Sequence, residues 1–267
     1  MDSDHEGNVQ SGHGEEGNDQ PTYNRNEIIT SLTDYYKFLG LLYLPSDSIK
    51  YPPEGGWQWP ASTTFSPEKS EEVIELMRNL PYLQRPSAWD SINIYEKCQP
   101  EDYSQFFGEP PYNIDPTPWK TTLPAHVLMI GQPEGRDGHH IFLDTQRGTW
   151  TLSDFTVGPS EPTDLSVAVD DIENPVTRTD EDGRECTENW KEYATYTTPQ
   201  FFTKLRNEFT ELIAVPYPEG QVHFAHEEVG YFKDLFGRYG WPGEEYQKDE
   251  CLEAVRRYVD GEDDEED

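Results

Sequence analysis

Apolar residues along this chain recur with two periods. Ile28, Leu32, Tyr35, Tyr36, Leu39 and Tyr43 fall at helical spacing behind Asn24-Arg-Asn-Glu27, which has the form of a capping box. The spacing predicts a helix over residues 25–42, its aromatic stripe turned to the core. Ser66-Pro67-Glu68, followed by Val73, Ile74, Met77 and Leu80, predicts a second over 67–79 with Ser66 as its cap. A third is expected from Thr198-Pro199, its face formed by Phe201, Phe202, Leu205, Phe209, Leu212 and Ile213 and its end set by Pro216 and Pro218. A fourth is expected over 227–238, stopping at Gly240-Trp241-Pro242, and a fifth over 244–259.

Between these helices the period shortens. His126–Ile130, His139–Asp144 and Thr149–Phe155 are runs rich in β-branched and aromatic residues, separated by the turns Gly131–Gly138 and Gln146-Arg-Gly148. Such runs predict an antiparallel meander. Residues 84–125 carry seven prolines and read as a connector with room for one strand near Ile92–Tyr95. Residues 158–189 hold ten acids against Arg178 and Arg184 and read as an acidic excursion, with one strand at 165–169 and a mobile remainder. The expected fold is α+β: a mainly antiparallel sheet with helices packed on it, one domain over 25–259. The flanks at 1–24 and 260–267 are too polar to repay the entropy of ordering and are expected to be disordered.

Composition sharpens this picture. Only 33% of the 267 residues are apolar, but 7 Trp, 16 Tyr and 12 Phe bury large areas. The formal charge is −33; residues 1–26 contribute −5 and 260–267 contribute −7, so the body itself is acidic. Such a field repels phosphate backbones and anionic headgroups, which disfavours nucleic-acid and membrane-surface binding and favours solubility and basic protein partners. The chain shows no membrane-span run and no signal-peptide order at its start. Cys98, Cys186 and Cys251 are odd in number and far apart, so neither a disulfide framework nor a zinc knuckle is indicated. A cytoplasmic or nuclear protein is expected, not a secreted one.

Familiar chemistry is sparse. No G-x-G-x-x-G follows a strand pattern, and no phosphate-binding loop, G-x-S-x-G elbow or H-E-x-x-H pair occurs. His223-Phe-Ala-His226 would present two imidazoles to one ion only if helical. His139 and His140 alternate faces in a strand, which suits structural histidines. Arg178-Thr-Asp180-Glu-Asp182-Gly183 imitates a calcium loop but has Arg178 and Asn189 where Asp and Glu belong. Asp144 and Asp154 end adjacent strands, where such residues cap turns more often than they pair for acid–base work. No metal or cofactor site is therefore expected.

The better candidates are binding residues. In Tyr51-Pro-Pro-Glu-Gly-Gly-Trp57-Gln-Trp59, Gly55 and Gly56 let the backbone turn tightly while Trp57 and Trp59 lid the core or line a groove. Trp241, in Gly240-Trp-Pro242, joins them as a candidate contact residue.

The Tyr51–Trp57 run, Glu72-Val-Ile-Glu-Leu-Met-Arg78-Asn-Leu-Pro-Tyr-Leu83 and Gly237-Arg-Tyr-Gly-Trp-Pro242 together resemble a set of uncharacterised filamentous-fungal proteins over about residues 27–255. More distantly, the opening helix, the Gly/Trp turn, Asp137-Gly-His-His-Ile-Phe-Leu-Asp144 and Thr198-Pro-Gln-Phe-Phe-Thr-Lys-Leu205 are similar to the SUKH superfamily. That resemblance implies an α+β binding module and assigns no functional residue. A protein-interaction or regulatory module without catalysis is the first expectation. An enzyme of unfamiliar class with an aromatic-lined pocket, and a calcium or zinc sensor, stand as alternatives.

Overall fold

A computed structural model describes residues 22–66, 68–87, 89, 91–105, 112–113, 123–135, 138–154, 177–179, 185–187 and 193–261. Both expected disordered tails fall almost wholly outside these, as does the strand expected at 165–169.

Helix α1 (Arg25–Leu42) has the predicted bounds, and the Asn24 side chain accepts the Glu27 N–H as its cap. Helix α2 (Glu71–Asn79) starts four residues later than expected. Ser70, not Ser66, is its cap, accepting from the Val73 N–H, while Glu71 and Glu72 favour the dipole of the first turn. Ser66 belongs instead to a two-residue strand, Phe65–Ser66, which pairs in parallel with Tyr112–Asn113. Strands β1 (Ile49–Lys50) and β2 (Phe65–Ser66) precede α2, and β3 (Tyr82–Leu83) follows it to pair with β1.

The Pro-rich connector supplies two short strands, β4 (Cys98–Pro100) and β5 (Tyr112–Asn113), and neither is at Ile92–Tyr95. The latter residues are buried without a ladder: the Asn93 N–H goes to Gly220 O and the Ile94 N–H to Cys98 O. After β5 (Tyr112–Asn113) comes the expected meander: β6 (Val127–Pro133), β7 (His140–Asp144) and β8 (Thr149–Ser153). Strand β6 runs three residues into the predicted Gly131–Gly138 turn, ending at Pro133, because it has a neighbour on each side. A bulge between Met129 and Gly131 shifts its register against β7, and Gly131 faces Pro100 on β4. A Cβ on Gly131 would lie 2.6 Å from Cys98 Sγ, so only glycine admits that close approach.

The central sheet has five strands, ordered β11-β8-β7-β6-β4 with β11 being Thr195–Thr197, and every neighbouring pair is antiparallel. Two further strands, β9 (Thr177–Thr179) and β10 (Glu185–Thr187), form a hairpin of their own, which places Arg178 on a strand opposite Cys186 and not at the head of a calcium loop. Residues 180–184 of that imitation loop lie outside the described residues.

One face of the sheet carries Leu128, Ile130, Ile141, Leu143, Trp150 and Tyr196 and joins the main core. Helix α3 (Thr198–Thr210) covers it: Trp150 stacks on Phe201 at 5.0 Å and 10°, and its indole N–H donates to Thr198 Oγ1 at 3.0 Å. Helices α1 and α3 pack together, Tyr35 meeting Phe202 at 5.5 Å and Phe38 meeting Phe209 at 6.2 Å. The opposite face carries the smaller cluster of Leu123, Val127, Met129 and Phe142, beside the buried hydroxyls of Thr149, Thr151, Ser153 and Thr195.

Helix α3 ends at Thr210, short of Leu212 and Ile213. Leu212 turns the chain with φ 53°, and β12 (Ala214–Pro216) then pairs with β13 (Val222–Phe224). Ile213 is thereby 43% exposed and not on the core face. A single 3-10 turn at His226–Glu228 leads into α4 (Val229–Arg238), and α5 (Lys248–Asp260) begins four residues later than its predicted start. Among the described residues, no helix is long and apolar enough to cross a membrane.

Candidate functional site

Gly55 and Gly56 hold φ of 83° and 77°, in a turn closed by the Gly56 N–H donating to Pro53 O at 2.9 Å. The turn lands on the C-terminal end of α2, where backbone carbonyls lack helical partners. The Trp57 backbone N–H donates to Arg78 O at 2.8 Å, and its indole Nε1 donates to Leu80 O at 2.9 Å. Trp59 Nε1 donates to Tyr103 O at 3.0 Å. The Trp57 ring packs 5.9 Å from Tyr82, and Trp59 meets Phe65 edge-on at 5.6 Å. Both indoles are half-buried against the core. Cations lie over them, Lys50 Nζ at 6.0 Å from the Trp57 ring and the Arg78 guanidinium at 5.4 Å from Trp59. Lys50 is held in turn by an ion pair with Asp102 and a 2.8 Å bond to Ser104. The turn closes part of the core, and its polar atoms are engaged within the fold.

Trp241 is held by other elements. Its Nε1 donates to Thr210 O at 3.3 Å, and its ring lies 5.9 Å from Phe38 and 5.1 Å from Tyr246. Among the described residues no ring contact joins Trp241 to Trp57 or Trp59, so the five candidates divide between two places. Phe38, which Trp241 meets, also carries the Arg206 guanidinium at 5.1 Å, and Lys248 Nζ donates to Gly40 O and Leu44 O; between those two carbonyls in the chain Leu41, one turn beyond Phe38, is 72% exposed. Leu41 stands outside the buried stripe of α1, a signal legible in the helical spacing.

The remaining sequence candidates separate. His223 lies on β13 and His226 opens the 3-10 turn, so the helical spacing a shared ion needs is not formed. Among the described residues no group of three or more His, Cys, Asp or Glu could hold a metal ion. Asp144 is buried, and its Oδ1 accepts the N–H groups of Gln146 at 2.9 Å and Arg147 at 3.1 Å, which is the turn-capping role. His140 stacks on Phe142 at 5.5 Å, and burial, with His139 beside it, lowers its pKa to about 4.

His139 points the other way, into a cluster that sequence reading missed. Tyr95, 1% exposed, stands at its centre, with His139 edge-on at 4.9 Å, Phe224 at 5.6 Å and His139 to Phe224 at 5.8 Å. His139 Nδ1 lies 3.2 Å from Glu96 Oε2 and 3.1 Å from the Glu96 carbonyl. The Tyr95 hydroxyl donates to Glu208, as does Lys204, whose Nζ is 5.7 Å from the Tyr95 ring centre. Burial, and then the Glu208 carboxylate, push the Tyr95 pKa well above its ordinary value. These groups come from positions 95–96, 139, 204–208 and 224, separations over which no local pattern can be read.

No protein-family model, curated protein or solved structure matches the chain.

Proposed function

We propose that this chain is a protein-interaction or regulatory module that engages a basic protein partner through the exposed Leu41 at the end of α1. The observation that carries the reading is the exposure of Leu41, at 72%, one helical turn from the half-buried Phe38, which Trp241 meets at 5.9 Å, on a chain of net charge −33. An exposed apolar contact set in an acidic field suits a partner with basic residues around an apolar anchor. Nucleic acid and membrane surfaces are disfavoured by the same field. Cys98 and Cys251 are free thiols, which fits a cytoplasmic or nuclear location. Kinship with the filamentous-fungal set, and more distantly with the SUKH superfamily, is part of the proposal. Its support is the order of opening helix, Gly/Trp turn, antiparallel strands and Pro-started helix.

The test is affinity capture from native lysate at low and high salt, comparing the wild type with Leu41→Glu and Trp57→Ala. Basic proteins eluting as salt rises, and lost from Leu41→Glu alone, are the expected result. Retention of the same proteins by Leu41→Glu would overturn the surface, and retention insensitive to salt would overturn the basic partner.

A second reading, an enzyme of unfamiliar class, is favoured by one observation: the carboxylate-held imidazole of His139 within the Tyr95 cluster.

A further inference from the structure

The inference that follows rests on that second reading and names its chemistry. His139 Nδ1 faces two acceptors, the Glu96 carboxylate and the Glu96 carbonyl, so Nδ1 carries a hydrogen and Nε2 is the nitrogen turned away from Glu96. Among the described residues no group bonds Nε2, and the His139 side chain keeps 12% of its exposure. A carboxylate that fixes the tautomer and leaves the far nitrogen open is how a histidine is prepared to accept a proton. On another side of the same tyrosine, Lys204 is held by Glu208, and its Nζ is 3.5 Å from the Tyr95 hydroxyl. His139, Phe224 and Lys204 Nζ all lie within 6 Å of the Tyr95 ring centre. Four charged or titratable side chains, Glu96, His139, Lys204 and Glu208, are thus held at 13%, 12%, 16% and 21% exposure around one aromatic floor. Burying such groups together is costly, and clusters of this kind concentrate at sites of chemistry.

We propose that Glu96 and His139 form a general-base pair that activates water against the acyl carbon of an uncharged carboxylic ester. The nucleophile is water, which reaches the 12%-exposed side chain of His139. A water O–H bond breaks, its proton passes to Nε2, and the oxygen forms a bond to the acyl carbon as the carbonyl electron pair moves onto oxygen. The pair then returns, the acyl–alkoxy bond breaks, and the alkoxide takes the proton from Nε2. An alcohol and a carboxylic acid leave, the acid losing its proton to solvent. Positioning of the imidazole belongs to Glu96. Tyr95, its proton committed to Glu208, forms the floor, and Phe224 offers an apolar wall to the acyl chain.

The experiment uses the full chain with p-nitrophenyl butyrate, following release of p-nitrophenolate over many turnovers. His139→Gln is expected to lower kcat/KM at least about 100-fold, and Glu96→Gln at least about 10-fold. Near-UV circular dichroism checks that each variant is folded. If His139→Gln does not fold, Glu96→Gln, which keeps the imidazole, decides the matter, with rescue by added imidazole in His139→Gly as the second measurement. Wild-type release no faster than that of the variants, or one equivalent released and then none, overturns the ester assignment. His139-dependent turnover of bis-p-nitrophenyl phosphate in place of the ester would overturn that assignment and keep the enzyme reading. No His139-dependent turnover of either probe would overturn both.

Discussion

Glu101 shows how one side chain can make this protein's stability depend on pH. It follows β4 directly, its N–H donating to Ile130 O, and its carboxyl is drawn into the protein beside Asp102. Burial, and then the Asp102 charge, raise its pKa to about 7. A raised carboxyl favours the folded state while protonated, so its contribution is full below about pH 4.5 and is lost as pH rises through 7. His140 has the opposite sign: with a folded value near 4, its contribution is present above its ordinary value of 6.5 and is lost as pH falls toward 4. Glu101→Gln should therefore stabilise the protein at pH 8 by about 2 kcal/mol and change little at pH 4.5, measured as urea midpoints at the two pH values. Equal midpoint shifts at both would remove Glu101 as the cause. Neither group is marked in the sequence. Glu101 is one acid among 53, and only the packing around β4 separates it from the solvated rest.

At the scale of elements, the Gly/Trp turn and helix α2 stabilise each other. The turn supplies the Trp57 backbone and indole N–H groups to Arg78 O and Leu80 O at the helix end, and the helix fixes the indole over Tyr82. The two glycines differ in what they meet. A Cβ on Gly55 finds nothing within 4 Å, whereas one on Gly56 would sit 2.8 Å from Arg78 O. Gly55→Ala should cost about 1 kcal/mol, the penalty of left-handed backbone alone. Gly56→Ala should cost about 3 kcal/mol, because the turn must also lift from the helix. Denaturant midpoints of the two variants check the order, and equal costs would mean that the docking contributes little. The paired glycines were legible as a tight turn, and the periodicity of α1 fixed both of its ends. The start of α2 was not legible, because Ser66-Pro67-Glu68 and Ser70-Glu71-Glu72 are both sound N-terminal sequences. The pairing of Phe65–Ser66 with Tyr112–Asn113, over 40 residues away, took the first of them into a strand. Helix α3 was overrun in the same way: Leu212 and Ile213 continue its apolar period, but β12 pairs with β13 and draws the chain out of the helix.

For the whole molecule the charge of −33 is the dominant long-range term. Self-repulsion of so acidic a chain favours expansion, and salt screens it over about 10 Å at 0.1 M. Raising the salt from about 0.02 to about 0.2 M should therefore raise Tm by a few degrees by scanning calorimetry, and a Tm that stays constant or falls would mean that the surplus charge is already locally compensated. The α+β class, the antiparallel meander and most of the aromatic core follow from amino-acid order alone, because hydrophobic period and turn residues act between near neighbours. Tertiary structure alone decided that β4 and β11 flank the meander, that Trp241 sits apart from Trp57 and Trp59, and that Glu96, His139, Lys204 and Glu208 gather around Tyr95. Those contacts join residues from about 30 to about 200 positions apart, where the chain's own periodicity carries no information and only the closing of the core against the sheet selects which side chains meet.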